Sequence, residues 1–176
     1  MKYLVFVAFL ATIPAANWMI GNVGTMCVTD GPCLIPVAPG LMAPSGVLMI
    51  GLALVLRDAI QQLLGMRWAI SAIVAGVGLS AAVAPPVLVL ASTAAFLIAE
   101  GLDLAVYTPL RRRNIPVAVL ASGAVGALAD SAVFLLIAFG SLDYMAGQFV
   151  GKMLMTFAAT AVLATRNKWG ICGRWR

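Results

Sequence analysis

The chain is 176 residues long, 63% hydrophobic and only 10% charged, with a net charge of +5 and a mean hydropathy of +1.06. A soluble domain of this length has no use for so much apolar surface, so the composition points to an integral membrane protein. There is no histidine, the commonest general base and metal ligand, and the three cysteines form no paired C-x-x-C motif, so neither a metal site nor a cofactor is expected.

The basic residues sit in short segments between apolar runs, a pattern that reports membrane topology rather than nucleic-acid binding. The first run, residues 3–20, follows Lys2 and continues through Asn17, Trp18 and Met19, past the signal-like Ala15-Ala16, so it reads as a retained span. Residues 21–44 hold Pro32, Pro36, Pro39 and Pro44 and no Lys or Arg. That connector is too proline-rich for a helix and either caps the bundle or re-enters it. Cys27 and Cys33 lie in it, and the sequence is equally compatible with a bridge between them and with two free thiols.

A second span covers residues 45–66. It opens as an apolar run and then places Arg57, Asp58, Gln61 and Gln62 on one stripe at helical spacing. A third covers 69–83, where Gly76 and Gly78 allow close helix approach. The fourth, 87–110, carries Glu100, Asp103 and Tyr107 and ends at Arg111-Arg112-Arg113-Asn114. The fifth, 116–139, carries Ser122, Gly126 and Asp130. The sixth, 146–165, contains Gly147, Gly151 and Lys152, and Arg166, Lys168, Arg174 and Arg176 follow it. Alternate connectors hold Asp30 and Asp143 without a basic residue. The expected fold is therefore an all-α bundle of six transmembrane helices in one domain, residues 1–176, with both termini cytoplasmic.

Ionisable groups placed inside a membrane helix cost about 2.5–3.5 kcal/mol each on insertion scales, so those that occur need partners or a use. At about 1.5 Å per residue, Arg57, Asp58 and Glu100 lie roughly 18–20 Å below the outer face. Asp130 and Lys152 share a second level. Glu100, Asp103 and Tyr107 follow i, i+3, i+7 spacing; Ser122, Gly126 and Asp130, and likewise Gln148, Lys152 and Thr156, follow i, i+4, i+8. Two arrangements satisfy these residues. Arg57–Glu100 and Lys152–Asp130 can be ion pairs that only specify packing. Alternatively, the acidic excess of Asp58, Glu100, Asp103 and Asp130 over the two bases makes an acidic polar site at mid-membrane for a small solute.

Three stretches, PSGVLMIGLALVLRDAIQQLLG, AEGLDLAVYTPLRRR and ASGAVGALADSAVFLLIAF, together resemble the VUT family of vitamin-uptake-like, or queuosine-precursor, transporters. The RD of the second span, the E-xx-D-xxx-Y-xxx-R of the fourth and the D-S-xx-F of the fifth carry the resemblance. Gln61-Gln62 stand where many members carry Asn-Glu. The resemblance implies a six-helix carrier of the inner membrane for 7-deazaguanine precursors of queuosine, preQ0 or preQ1, and no enzyme. The edges of such a ring suit carboxylates and carboxamides, which nominates Asp58, Gln61, Gln62, Glu100, Asp103 and Asp130. Arg57 and Lys152, the two bases at the same depths, complete the polar set. Trp18, Phe96, Tyr107 and Phe134 are the aromatic candidates for its face. The partners expected are that small-molecule substrate and the lipid bilayer, with homo-oligomerisation left open and nucleic acid excluded. The alternative is a substrate-binding membrane subunit for a vitamin-like solute that depends on an ATP-driven partner, since the chain has no P-loop.

Overall fold

A backbone surrounded by apolar side chains must satisfy its own hydrogen bonds, and each apolar run of this chain does so as a helix. The computed structural model describes residues 2–29, 31–110 and 115–167, apart from the side chains at 2, 58, 62, 103–104, 107, 115–120, 122 and 159–167. In chain order these residues form α1 (Lys2–Asn22), β1 (Met26–Cys27), β2 (Cys33–Ala38), β3 (Leu41–Pro44), α2 (Val47–Leu64), α3 (Met66–Val83), α4 (Pro86–Leu110), α5 (Ile115–Phe139) and α6 (Met145–Asn167). By length and composition, Tyr3–Asn22 and Met66–Val83 are able to cross a membrane, and shorter apolar stretches occupy Pro86–Leu102 and Gly123–Phe139. Leu4, Val74, Leu90 and Phe157 are all exposed on the outside of the bundle, a surface suited to lipid. The Arg111–Asn114 cluster, Asp30 and the tail with Lys168, Cys172, Arg174 and Arg176 lie outside the described residues.

The chain is mostly helical but not all-α. The proline-rich connector folds into a three-stranded antiparallel sheet of order β1-β2-β3. Met26 pairs with Leu34 and Cys27 with Cys33, and a disulfide joins the two cysteines. Pro39 and Gly40 then turn the chain into β3, with Gly40 at φ +74°, the positive-φ second turn position that favours glycine. Pro36 lies in the central strand, which a proline ordinarily disrupts because it cannot donate to the ladder. It is accommodated because β1 reaches only as far as Leu34, leaving that flank of β2 unpaired, and because the register slips between Pro36 and Ala38.

Helix α1 is stitched to the start of α2 by Ser45, whose hydroxyl donates to the Met19 carbonyl at 2.7 Å. One residue, Gly65, links α2 to α3. Its φ of +97° is open to glycine and strained for other residues. Phe9, Ile60, Ala69 and Ala72 form the core of α1, α2 and α3, with Phe9 and Ile13 against Gly76. A second core, Ala91, Ala95, Phe134 and Leu135, joins α4 to α5, which pack chiefly on each other as a hairpin. Helix α6 packs instead on α2 and the sheet. Gly147 lies against the Met42 carbonyl and Gly151 against Val47 and Val37. Gly78, by contrast, faces open space.

Two outcomes follow from this packing. A methyl group on Gly147 would overlap the Met42 carbonyl, so Gly147→Ala should destabilise by about 1–3 kcal/mol, net of any gain in helix propensity. Gly78→Ala should be neutral or slightly stabilising, and thermal melting of the two purified variants in detergent compares them; equal melting temperatures would contradict the packing of α6 on β3. For the disulfide, alkylation of the unreduced, denatured chain should leave Cys27 and Cys33 unlabelled, and reduction should expose both.

Candidate functional site

Helix α2 turns Arg57 toward α4, where Phe96 and Glu100, one helical turn apart, meet it together. An Arg57 Nη2 donor lies 2.6 Å from Glu100 Oε1, and the guanidinium carbon stands 5.8 Å from the centre of the Phe96 ring. The ring face adds a cation–π attraction to the ion pair. One helix further along, Lys152 of α6 reaches α5, donating to Asp130 Oδ2 and to Ser131 Oγ, the latter at 2.9 Å. Ser131 passes its own proton to the Ala127 carbonyl at 2.8 Å, so its oxygen is free to accept from the lysine. Lys152 is 1% exposed, Asp130 16%, Arg57 17% and Glu100 32%, which makes the lysine the charge most dependent on its partner.

Both ion pairs foreseen from helix depth are thus formed. Both also cross the same boundary. The acids, Glu100 and Asp130, belong to the α4–α5 hairpin, and the bases, Arg57 and Lys152, to the elements packed against it. Gln148 lies one turn before Lys152 on the same face of α6. It is 1% exposed, and neither end of its amide has a hydrogen-bond partner among the described residues.

Between α1–α3 and the hairpin lies a cavity of about 420 Å³, to which α1, α2, α3, α4 and α5 all contribute. A stripe at helical spacing along α1, Phe9, Ile13, Ala16 and Ile20, forms one wall, and Phe96 and Phe134 face it from the hairpin. Among the described residues, Arg57 and Asp130 are the charged ones in its lining. The remaining polar ones are Thr12, Asn17, Ser80, Ser92 and Thr93. The site expected from the sequence was acidic and polar; the described part of the lining is mostly apolar, and the side chains of Asp58 and Asp103 lie outside the described residues. Glu100 and Lys152 turn to their partners across the boundary, and neither lies on the wall.

Of the other residues nominated from the sequence, Gln61 is half-buried on α2 but off the wall, and Trp18 is 61% exposed on the outside of α1. The side chains of Asp58, Gln62, Asp103 and Tyr107 lie outside the described residues. Sequence reasoning overlooked Thr12 and Asn17. The signal was there, since both interrupt the apolar stripe of α1 that lines the cavity.

Residues 81–165, from the end of α3 through most of α6, match the family model described as "Putative vitamin uptake transporter". No curated protein and no solved structure matches the chain. The matched segment holds the α4–α5 hairpin with both of its acids, together with the lysine that Asp130 receives. The match spans just under half of the chain, and over that length the chain is similar to this family of membrane transporters.

Proposed function

We propose that the chain is a six-span carrier of the inner membrane, both termini cytoplasmic, that takes up a 7-deazaguanine precursor of queuosine. The observation that carries this reading is the cavity between α1–α3 and the α4–α5 hairpin. Its volume of about 420 Å³ falls in the range of small-molecule sites and accommodates a fused bicyclic ring. Phe96 and Phe134 offer ring faces for stacking, and Asp130 offers a carboxylate to the paired donors on a guanine-like edge. Asp58, Gln62, Asp103 and Tyr107 stay in the proposal as substrate contacts, and Gln61 and Trp18, which are not among the described lining, stay only as residues of the same helices. The disulfide of β1 and β2 supports the orientation, since such bridges persist on the oxidising side of a membrane. The connector would then face outward, opposite the basic segments.

Uptake of labelled preQ0 and preQ1 into cells unable to make either tests the substrate. Uptake that requires a co-expressed ATPase would instead favour the substrate-binding-subunit alternative.

The buried pair gives a sharper test of the residues. Asp130→Asn removes the charge opposite a lysine that is 1% exposed, and should destabilise the protein by about 3–5 kcal/mol. Adding Lys152→Met removes the stranded charge and should restore most of the melting temperature. Uptake by the double variant is expected to stay below about a tenth of wild type, a loss of at least about 1.4 kcal/mol in transition-state terms. A double variant that is stable and transports at the wild-type rate would reduce the pair to a packing device.

A further inference from the structure

The polar side chains around the cavity differ in what they have left to offer a solute. Thr12 Oγ1 donates its proton to the Phe9 carbonyl at 2.6 Å. Ser92 Oγ donates to the Leu88 carbonyl at 2.7 Å, and Thr93 Oγ1 to the Val89 carbonyl at 2.8 Å. Each of these hydroxyls therefore has its donor engaged and retains acceptor capacity. Asn17 behaves alike. Its Nδ2 donates to the Ile13 carbonyl at 3.0 Å, a contact that only the amide nitrogen can make, and no described residue donates to its Oδ1. At Asp130, Lys152 occupies Oδ2, and Oδ1 accepts from no described residue. Donors among the described wall residues are fewer. Ser80 has a hydroxyl not engaged by a described residue, and Arg57, which gives one Nη2 donor to Glu100, is the other donor-bearing side chain beyond those above.

From this imbalance we infer that the cavity selects solutes rich in hydrogen-bond donors, carrying amino or ring N–H groups, over solutes whose polar atoms are mainly acceptors. The inference rests on the cavity being the substrate site, as proposed above, and it adds the polarity of the ligand. An acceptor-rich solute entering this cavity would lose its water and face oxygen atoms, leaving buried acceptors unpaired on both sides. A donor-rich solute would find an oxygen for each N–H from α1, α4 and α5, while the apolar remainder of the wall takes its ring. Among 7-deazaguanines the rule favours the 7-aminomethyl compound over the 7-cyano compound, because the amine donates where the nitrile only accepts.

Binding to the purified full-length protein in detergent decides the matter, with four probes titrated under one set of conditions. The first pair is 7-aminomethyl-7-deazaguanine and 7-cyano-7-deazaguanine; the second is thiamine, an aminopyrimidine cation, and biotin, a carboxylate. The amine is expected to bind at least about tenfold more tightly than the nitrile, as one or two additional hydrogen bonds allow. Asn17→Ala removes one acceptor whose own donor serves only its helix, so it should narrow that ratio by about threefold without moving the melting temperature. If neither deazaguanine binds but thiamine binds in preference to biotin, the 7-deazaguanine reading falls and the donor rule stands. A nitrile bound as tightly as the amine overturns the rule, as does biotin preferred to thiamine when neither deazaguanine binds. Failure of all four probes to bind overturns both the rule and the substrate reading.

Discussion

Lys152 is a full positive charge with 1% of its side chain exposed, and the packing around it depends on how that charge is met. Removing an ammonium group from water costs several kcal/mol even after relaxation, and only a close opposite charge with further hydrogen bonds offsets it. Asp130 and Ser131 supply both, from successive residues of α5. That requirement fixes the rotation of α5 against α6, because another face of α5 would offer the lysine only apolar side chains or glycine. Arg57 and Glu100 impose the matching constraint on α2 and α4, eased by greater exposure and by the Phe96 ring. The hairpin is thus keyed to the rest of the bundle at two points by charge, while its own core is built from alanines, Phe134 and Leu135.

The boundary crossed by these pairs is otherwise lightly packed, and the cavity lies along it. Apolar contact is dense within α1–α3 and within α4–α5, and thinner between the two groups. Gln148 adds a cost at the α5–α6 side. Neither end of its buried amide finds a partner among the described residues, which forfeits about 1–3 kcal/mol per group relative to water. Charge pairing holds the two groups of helices together here, and an amide without a partner among the described residues works against it. A boundary balanced in this way suits a protein that admits a solute into its interior, since transport in such bundles proceeds by one group of helices shifting against another.

Much of this was readable in the sequence, and the reasons differ by element. The helices follow the apolar runs closely because backbone satisfaction leaves an apolar segment few alternatives. Both ion pairs could be named beforehand because helical rise converts residue number to depth, and at each depth a base on one helix had an acid on another. The sheet could not be read. Its central strand contains Pro36, which argues against a strand; the Cys27–Cys33 bridge was only one of two options, and the close seating of Gly147 and Gly151 comes from a distant helix that the local pattern of residues 26–44 does not announce. Among the described residues the wall carries fewer charges than the sequence offered. Counting charges treats every ionisable residue on an inward face as part of one site, whereas Glu100 and Lys152 are spent on partners and do not reach the wall.

The same accounting applies to the neutral polar residues, and it explains why the wall offers mostly acceptors. In an apolar bundle a threonine or serine on a helix has one ready partner for its proton, the carbonyl three or four residues earlier, and Thr12, Ser92 and Thr93 all take it. Asn17 does likewise with its amide nitrogen. Each such bond satisfies a donor that would otherwise be stranded in a low-dielectric interior, and each leaves an oxygen behind. Oxygens tolerate this better than N–H or O–H groups, because a carbonyl or hydroxyl oxygen with one free lone pair is a smaller loss than an orphaned donor. The polarity of the described wall is therefore set largely by how the helices satisfy their own side chains, and on the reading proposed above a solute would supply the protons.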